Sequence, residues 1–349
     1  CYDPYRGGEM VQDVAVYLST ISKFDPADNG KSPNDPSLSA CSPHLTAFWN
    51  TCAQLVKHHI PYGVITRKSL DKLSKYKMIF LPNILMMDEI EADSLREYVR
   101  HGGCLYASKF SSLISSEGIQ LQNFLLGDVF GVQYLGLIPD SYTYISPNQG
   151  YYHLMAGFSE RYPIGCSTQQ TIVKADDQTK ILAQIVLPYT NPNDDTYYSS
   201  IHSNPPGKRT SYPSIIYHPF GDGHSIYTTA EIENIINYPI IINLIKELGI
   251  KLSLETTAPP CVEITMFNQI EKNRLIINLI NFQRDMPNLP IYDIKVRVRL
   301  TTGQNKQIIP SQISLYPKEE KIPFVTQQGF VEWTVNRLDT FSMYGLEYE

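Results

Sequence analysis

The stretches Met78-Ile79-Phe80-Leu81-Pro82-Asn83-Ile84 and Cys104-Leu105-Tyr106-Ala107-Ser108-Lys109 decide the fold. Each opens on an apolar run without alternation, the pattern of a strand buried on both faces. Between them lies a helix marked at both ends. Asp88 and Glu91 have the spacing of an N-terminal capping box. His101-Gly102-Gly103 stops the helix, with Gly102 suited to the left-handed position beyond its last turn. Strand, helix, strand in this order predicts a right-handed parallel crossover. Residues 14–19 and 62–66 read as two further buried strands, so the front of the chain is an α/β sheet wound by helices.

The rest of the chain is read outward from that unit. Ser42 is placed to cap the first helix and Pro43 suits its first position. Leu45, Phe48, Trp49, Cys52, Leu55 and Val56 then recur at helical spacing, as a face packed on the sheet. His58 and His59 follow at the C-terminal end, where the helix dipole favours imidazoles. Residues 20–40 form a long loop rich in Pro, Asp, Asn and Ser, a setting that often meets a ligand or partner. Beyond residue 111 the alternation breaks. Residues 121–130 read as helix, 134–152 as an irregular Tyr-rich stretch, 171–175 and 180–187 as strands, and 189–208 as a polar loop. Residues 214–217 and 225–229 read as a hairpin closed through Gly221-Asp222-Gly223. Residues 234–248 read as a very apolar last helix.

Residues 255–260 read as a linker stiffened by Pro259-Pro260. From Val262 onward the chain alternates like strands. Over residues 294–300, Ile294, Val296, Val298 and Leu300 share one face while Lys295, Arg297 and Arg299 share the other. Residues 275–279, 313–316 and 330–335 continue the pattern, which predicts a small antiparallel β-sandwich. Three segments are therefore expected: 1–12 as the remnant of a preceding domain or linker, 13–255 as the α/β domain, and 258–349 as the sandwich. A chain opening on Cys1 reads as cut from a longer protein. A mature lipoprotein also begins with Cys, but Tyr2-Asp3-Pro4-Tyr5-Arg6 lacks the small, polar tether expected there.

Length and charge narrow the function. The 349 residues suit two domains better than one. A net charge of −6, with Lys and Arg scattered among acids, lacks the footprint of a nucleic-acid binder. No apolar run reaches the roughly 18 residues needed to span a membrane, and no signal peptide is visible. The six Cys show no paired spacing and fall in apparent helices and strands. They read as reduced core residues, which with the lack of an N-x-[ST] site points to the cytoplasm. The frequent Tyr suits contact surfaces.

No catalytic apparatus emerges from the residues. The strand-to-helix turn where such sheets carry a nucleophile would fall near Ala107-Ser108-Lys109-Phe110, which has neither Cys nor flanking glycines. Cys104 belongs at the opposite end of its strand, and no His can be placed beside Ser108. Glycoside hydrolysis needs two carboxylates about 5–10 Å apart across a sugar. Asp88, Glu89, Glu91, Asp93, Glu231 and Glu233 cluster instead at helix starts, where capping explains them. Asp194-Asp195 lies in a loop without further oxygen ligands. His202-Ser203-Asn204-Pro205-Pro206-Gly207 concentrates hydrogen-bonding groups in a stiff loop, so His202 and Asn204 are the candidate substrate-binding residues, with a well-packed turn as the alternative. No catalytic residue, metal ligand or cofactor is assigned.

Several stretches together resemble a known family. They are Val14-Ala15-Val16-Tyr17-Leu18-Ser19, Phe80-Leu81-Pro82-Asn83, Leu95-Arg96-Glu97-Tyr98-Val99-Arg100-His101-Gly102-Gly103, Asp128-Val129-Phe130-Gly131-Val132 and Tyr217-His218-Pro219-Phe220-Gly221-Asp222-Gly223, with the strand over 275–281. From residue 10 to the end the chain resembles the C-terminal region of glycoside hydrolases related to the family 42 β-galactosidases, and its 201–207 loop is similar to that of fucosidase-like relatives. The resemblance implies a flavodoxin-like or class I amidotransferase-like parallel sheet with helices on both faces. This "trimerisation" domain would be followed by the β-sandwich. The (β/α)8 barrel that carries the acid and the nucleophile in those enzymes is absent. The resemblance therefore implies a non-catalytic accessory region, forming a homo-oligomer (a trimer by resemblance) and meeting carbohydrate through the missing barrel. Two alternatives stand beside it: a stand-alone carbohydrate-binding or assembly protein, whose binding His202→Ala with Asn204→Ala would abolish, and a divergent amidase or hydrolase using Cys104 or Ser108.

Overall fold

A computed structural model describes residues 6–23, 42–191, 194–200, 203–284, 287–299 and 309–349. The chain divides into two compact units. One comprises residues 15–54 and 64–250, the other residues 1–14, 55–63 and 251–349.

The larger unit is built on a nine-stranded sheet. Its strands are β1 (Val14–Tyr17), β2 (Tyr62–Ile65), β3 (Met78–Leu81), β4 (Cys104–Ser108), β5 (Thr143–Pro147), β6 (Ile164–Cys166), β7 (Lys180–Pro188), β8 (Pro206–Phe220) and β9 (Gly223–Thr228). Their spatial order is β6-β5-β7-β8-β9-β4-β3-β1-β2. At the centre β3, β4 and β9 run parallel. The β8–β9 hairpin then reverses direction, and β8, β7, β5 and β6 continue antiparallel. The sheet is mixed, and the parallel arrangement expected from the sequence holds at its centre.

Helices α1 (Pro43–Lys57) and α2 (Glu89–Arg100) cover opposite faces, which is why the central strands are apolar throughout. Ile79, Leu81, Leu105, Ala107 and Tyr227 form one core with Leu95 and Val99 of α2. Phe80 and Tyr106 project the other way, their rings 5.3 Å apart. On that face Tyr106 Oη bonds the Glu233 carboxylate, and Gln54 of α1 bonds the Glu233 backbone carbonyl. The α2 capping box forms as expected, with Asp88 Oδ1 accepting from Glu91 N at 2.8 Å and Glu91 Oε2 from Asp88 N at 3.0 Å. Gly102 closes the helix at φ +97°.

Several local expectations are corrected. The Ser42 hydroxyl is buried and meets no partner among the described residues, so α1 is entered through Pro43 without a side-chain cap. His59 sits at φ +56°, and burial lowers its pKa, so a dipole-favoured cation does not describe it. Over 121–130 only α3 (Gly127–Phe130) is helical. Leu121 N and Leu125 N bond the carbonyls of Leu113 and Ser112 instead of their own helical neighbours. The Tyr-rich stretch holds β5 and also a strand, Val132–Leu137, paired with Thr171–Ala175. The last helix, α4 (Ile240–Glu247), starts only after Pro239, because proline inside a helix removes a hydrogen bond and clashes with the preceding turn.

The smaller unit is a sandwich. Strands β10 (Leu254–Thr256), β11 (Val262–Gln269), β12 (Arg274–Asn281), β13 (Ile291–Arg299), β14 (Pro310–Tyr316), β15 (Phe330–Leu338) and β16 (Phe341–Tyr348) form its body. One sheet runs Glu9–Met10, β11, β12, β16, β14, Glu320–Lys321; the other runs β10, β13, β15, Val325–Gln327. Val262, Ile277, Leu279 and Leu346 from the first meet Ile294, Val296, Val298, Trp333 and Val335 from the second in one core. Each such side chain contributes about 1.5–3 kcal/mol on burial. Leu300, expected on the same face, lies outside the described residues. Where a linker was expected, Leu254–Thr256 pairs with Val296–Val298. Glu9 and Met10 pair with Asn268 and Phe267. No helix among the described residues is long and apolar enough to cross a membrane.

Candidate functional site

The ends of β3, β4 and β9 converge where an α/β sheet of this kind usually carries chemistry. There the backbone turns through positive φ at Asn83 (+46°) and Lys109 (+47°), conformations uncommon for residues other than glycine. Lys109 thus occupies the tight turn after β4. No helix follows it: residues 109–112 form turns, and Ile114–Ser115 pairs with Met86–Met87. A nucleophile at that turn would lack the helix N-terminus that stabilises charge in such sites.

The side chains around the turn form a closed network. Lys109 Nζ donates to Glu231 Oε2 at 3.1 Å, and Asn83 Nδ2 donates to Glu231 Oε1 at 2.8 Å. Ser108 Oγ donates to Glu233 Oε1 at 2.5 Å, and Tyr106 Oη to Glu233 Oε2 at 2.6 Å. Asn83 N donates in turn to Ser108 Oγ at 2.9 Å, and Asn83 Oδ1 accepts from Phe110 N. Ser108, Asn83 and Glu233 are fully buried. Burial pushes the Glu233 carboxyl up to about 7, against the hydrogen bonds from Ser108 and Tyr106 that favour its anion.

A serine donating to a carboxylate of raised pKa is the start of a nucleophile–base pair. Here neither group reaches solvent, and their hydrogen bonds are taken up within the network. The sequence placed Glu231 and Glu233 as helix-start caps, and that is corrected: Glu231 makes no side-chain cap, and both carboxylates serve the strand ends. Their position just after β9 was the available signal, since buried acids at a strand end need partners from neighbouring strands.

Cys104 does lie at the opposite end of β4, as its place in the sequence implied. The structure adds a partner the sequence could not supply: His224, in register with it on β9, brings Nε2 to 3.0 Å from Sγ. Burial pushes the Cys104 thiol up to about 11 and lowers the His224 pKa. Both shifts favour thiol and neutral imidazole over the thiolate–imidazolium form that a nucleophilic pair requires. Among the described residues, Cys104, Cys166 and Cys261 form no disulfide.

Of the two expected binding residues, His202 lies outside the described residues. Asn204 is held inward: its Oδ1 accepts from Thr190 N at 3.2 Å and from Thr190 Oγ1, and its carbonyl accepts from Tyr144 Oη. It braces the loop between β7 and β8. Asp194 is engaged by Thr196, which donates from both N and Oγ1 and lowers the carboxyl pKa. Among the described residues no group of three or more His, Cys, Asp and Glu gathers to hold a metal.

The fold and these strand ends define an α/β unit with a β-sandwich partner, carrying a buried polar network at the end of its sheet. Residues 14–150 match the family model of the β-galactosidase trimerisation domain. The solved structures similar to this chain include α-L-fucosidase isoenzyme 2 from Paenibacillus thiaminolyticus, with a TM-score of 0.73 and 19% identity over 98% of this chain. A β-galactosidase from Bacillus circulans sp. alkalophilus gives 0.63 and 17% over 97%. Gan42B, a GH42 β-galactosidase from G. stearothermophilus, gives 0.64 and 13% over 97%. The chain spans 49%, 42% and 40% of those three chains. No curated protein matches it. The resemblance to glycoside hydrolases related to family 42 therefore holds, by the family model over residues 14–150 and by fold over nearly the whole chain.

Proposed function

We propose that this chain is the accessory, oligomer-forming region of a glycoside hydrolase. In this reading residues 13–255, an amidotransferase-like unit, make contacts between copies, and residues 258–349 form the attached sandwich. The two carboxylates that cleave the glycosidic bond lie outside the chain, in a reaction that needs no organic cofactor. The names of the similar structures support a substrate among galactosides and fucosides. The observation that carries the non-catalytic part is the turn after β4. The nucleophile's place holds Lys109, tied to Glu231, and the neighbouring Ser108 is sealed against Glu233.

Two measurements on this chain test the reading. Sedimentation equilibrium is expected to show self-association, with a trimer as the limiting species. Incubation with p-nitrophenyl β-D-galactopyranoside and p-nitrophenyl α-L-fucopyranoside is expected to release no nitrophenol. Hydrolysis that disappears in Ser108→Ala or Cys104→Ala would overturn the non-catalytic role, and a monomer at every concentration would overturn the oligomer-forming one.

A further inference from the structure

Between the end of β7 and the start of β8 the surface opens into a hollow of about 640 Å³, whose lining includes Asp140, Tyr189, Asn191, Tyr197, Gly207 and Lys208. That volume falls in the range of about 300–1,000 Å³ typical of small-molecule sites. The rings of Tyr189 and Tyr197 meet edge to face with centroids 5.4 Å apart. They remain 40% and 47% exposed, so apolar ring surface is presented to solvent at a concave site.

Hydrogen bonds within the chain tie the described walls together. Tyr189 N donates to Pro205 O at 2.8 Å, Asn191 N to Tyr197 O at 3.2 Å, and Tyr197 N to Asp194 O at 3.1 Å. Asn204 holds Thr190, which also lines the hollow, through the latter's N and Oγ1. Gly207 allows the two chain segments to close, because a Cβ there would stand 2.5 Å from Tyr189 Cα. A preorganised wall binds more tightly because less ordering remains to be done on association.

The chemistry of the lining selects among ligands. Asp140 and Lys208 contribute one charge of each sign, which gives no net preference for an anion or a cation. Lys208 supplies donors and Asp140 acceptors, and the Thr190 hydroxyl, whose proton goes to Asn204, adds a further acceptor. A ligand matching two aromatic rings and this mixed polar set has an apolar C–H face and several hydroxyls. We propose that the hollow is a saccharide-binding subsite. It takes a neutral pyranose unit, with the C–H face of the sugar on Tyr189 or Tyr197 and its hydroxyls on Asp140 and Lys208. A proline-rich peptide also docks on aromatic grooves, but its backbone uses few of these polar groups. The subsite does not rest on the accessory reading, since sugar contact and self-association are measured separately.

Saturation-transfer NMR on this chain, with methyl β-D-galactopyranoside, methyl α-L-fucopyranoside and cellotriose as probes, tests the assignment. Transfer to the ring protons of at least one sugar is expected. Affinity should fall about five-fold or more in Tyr197→Ala, in line with the worth of a well-placed aromatic contact. Tyr197→Phe keeps the ring and should keep binding, which separates loss of the contact from loss of the fold. Tyr162→Ala removes a 64%-exposed ring away from the hollow and should change nothing. No transfer to any of the three sugars, or equal transfer in wild type and Tyr197→Ala, overturns the proposal. So does a proline-rich decapeptide that binds where the sugars do not.

Discussion

Replacing Glu233 with Gln isolates the electrostatic cost of the buried network. In the folded chain the Glu233 carboxyl titrates near 7, raised from 4.5, and burial is the dominant cause. Below pH 4.5 it is neutral in folded and unfolded chains alike. Between 4.5 and 7 the unfolded chain ionises first while the folded chain keeps its proton, so stability declines as the pH rises. At about 1.4 kcal/mol for each unit, the loss reaches about 3 kcal/mol once the pH passes 7. The glutamine side chain has nothing to ionise. Its amide oxygen can still accept from Tyr106, and its NH2 can donate to Ser108 Oγ once that hydroxyl turns. The advantage of Glu233→Gln over wild type should therefore grow by about 3 kcal/mol between pH 4.5 and pH 8, whatever the offset at low pH. Hydrogen exchange of the Cys104–Ser108 amides, corrected for the intrinsic pH dependence of exchange, reads the opening free energy of this unit. A wild-type-to-variant difference that stays constant across that range would refute the reasoning.

Three further outcomes follow from the geometry. Gly223→Ala places a Cβ 2.2 Å from Gly103 O and 2.3 Å from Val99 O, both backbone atoms; overpacking of this kind should cost about 1–3 kcal/mol or more, measured as a lowered midpoint of thermal unfolding. Asp88→Ala removes one half of the α2 capping box and should cost about 0.5–2 kcal/mol in urea unfolding, while Ser94→Ala on the exposed face of the same helix should cost far less. Leu279→Ala empties a fully buried position in the sandwich core and should cost about 2–5 kcal/mol, seen as a lower calorimetric transition for that unit.

How much of this was legible in the sequence depended on how local the determinants were. Asp88, Glu91 and Gly102 marked both ends of α2 because capping acts over a few residues. The apolar runs of β1, β3 and β4 stood out because burial on both faces suppresses alternation. The α4 boundary was misread because an apolar sequence signals burial as strongly as it signals helix, and Pro239 had to decide between them. The strand over Val132–Leu137 escaped notice because its partner lies some forty residues away. The candidate sites were the least legible part. Lys109 and Glu231 pair across 122 residues, and Cys104 meets His224 across 120. Only the parallel register of β4 with β9 brings them together. Asn204 was singled out for its hydrogen-bonding capacity, and the structure directs that capacity toward Thr190 and Tyr144.

The sandwich draws strands from both ends of the sequence, and this gives synthesis an order of events. Glu9 and Met10 emerge from the ribosome roughly 250 residues before β11, their partner, has been made. At about 5–20 residues per second, that strand waits some 10–50 s without a template. In the meantime the α/β unit can collapse on its own sheet. Starting the polypeptide at residue 13 would remove the wait and also the cover. β11 would then present a free row of N–H and C=O groups along the sheet edge, an open invitation to pair with another chain.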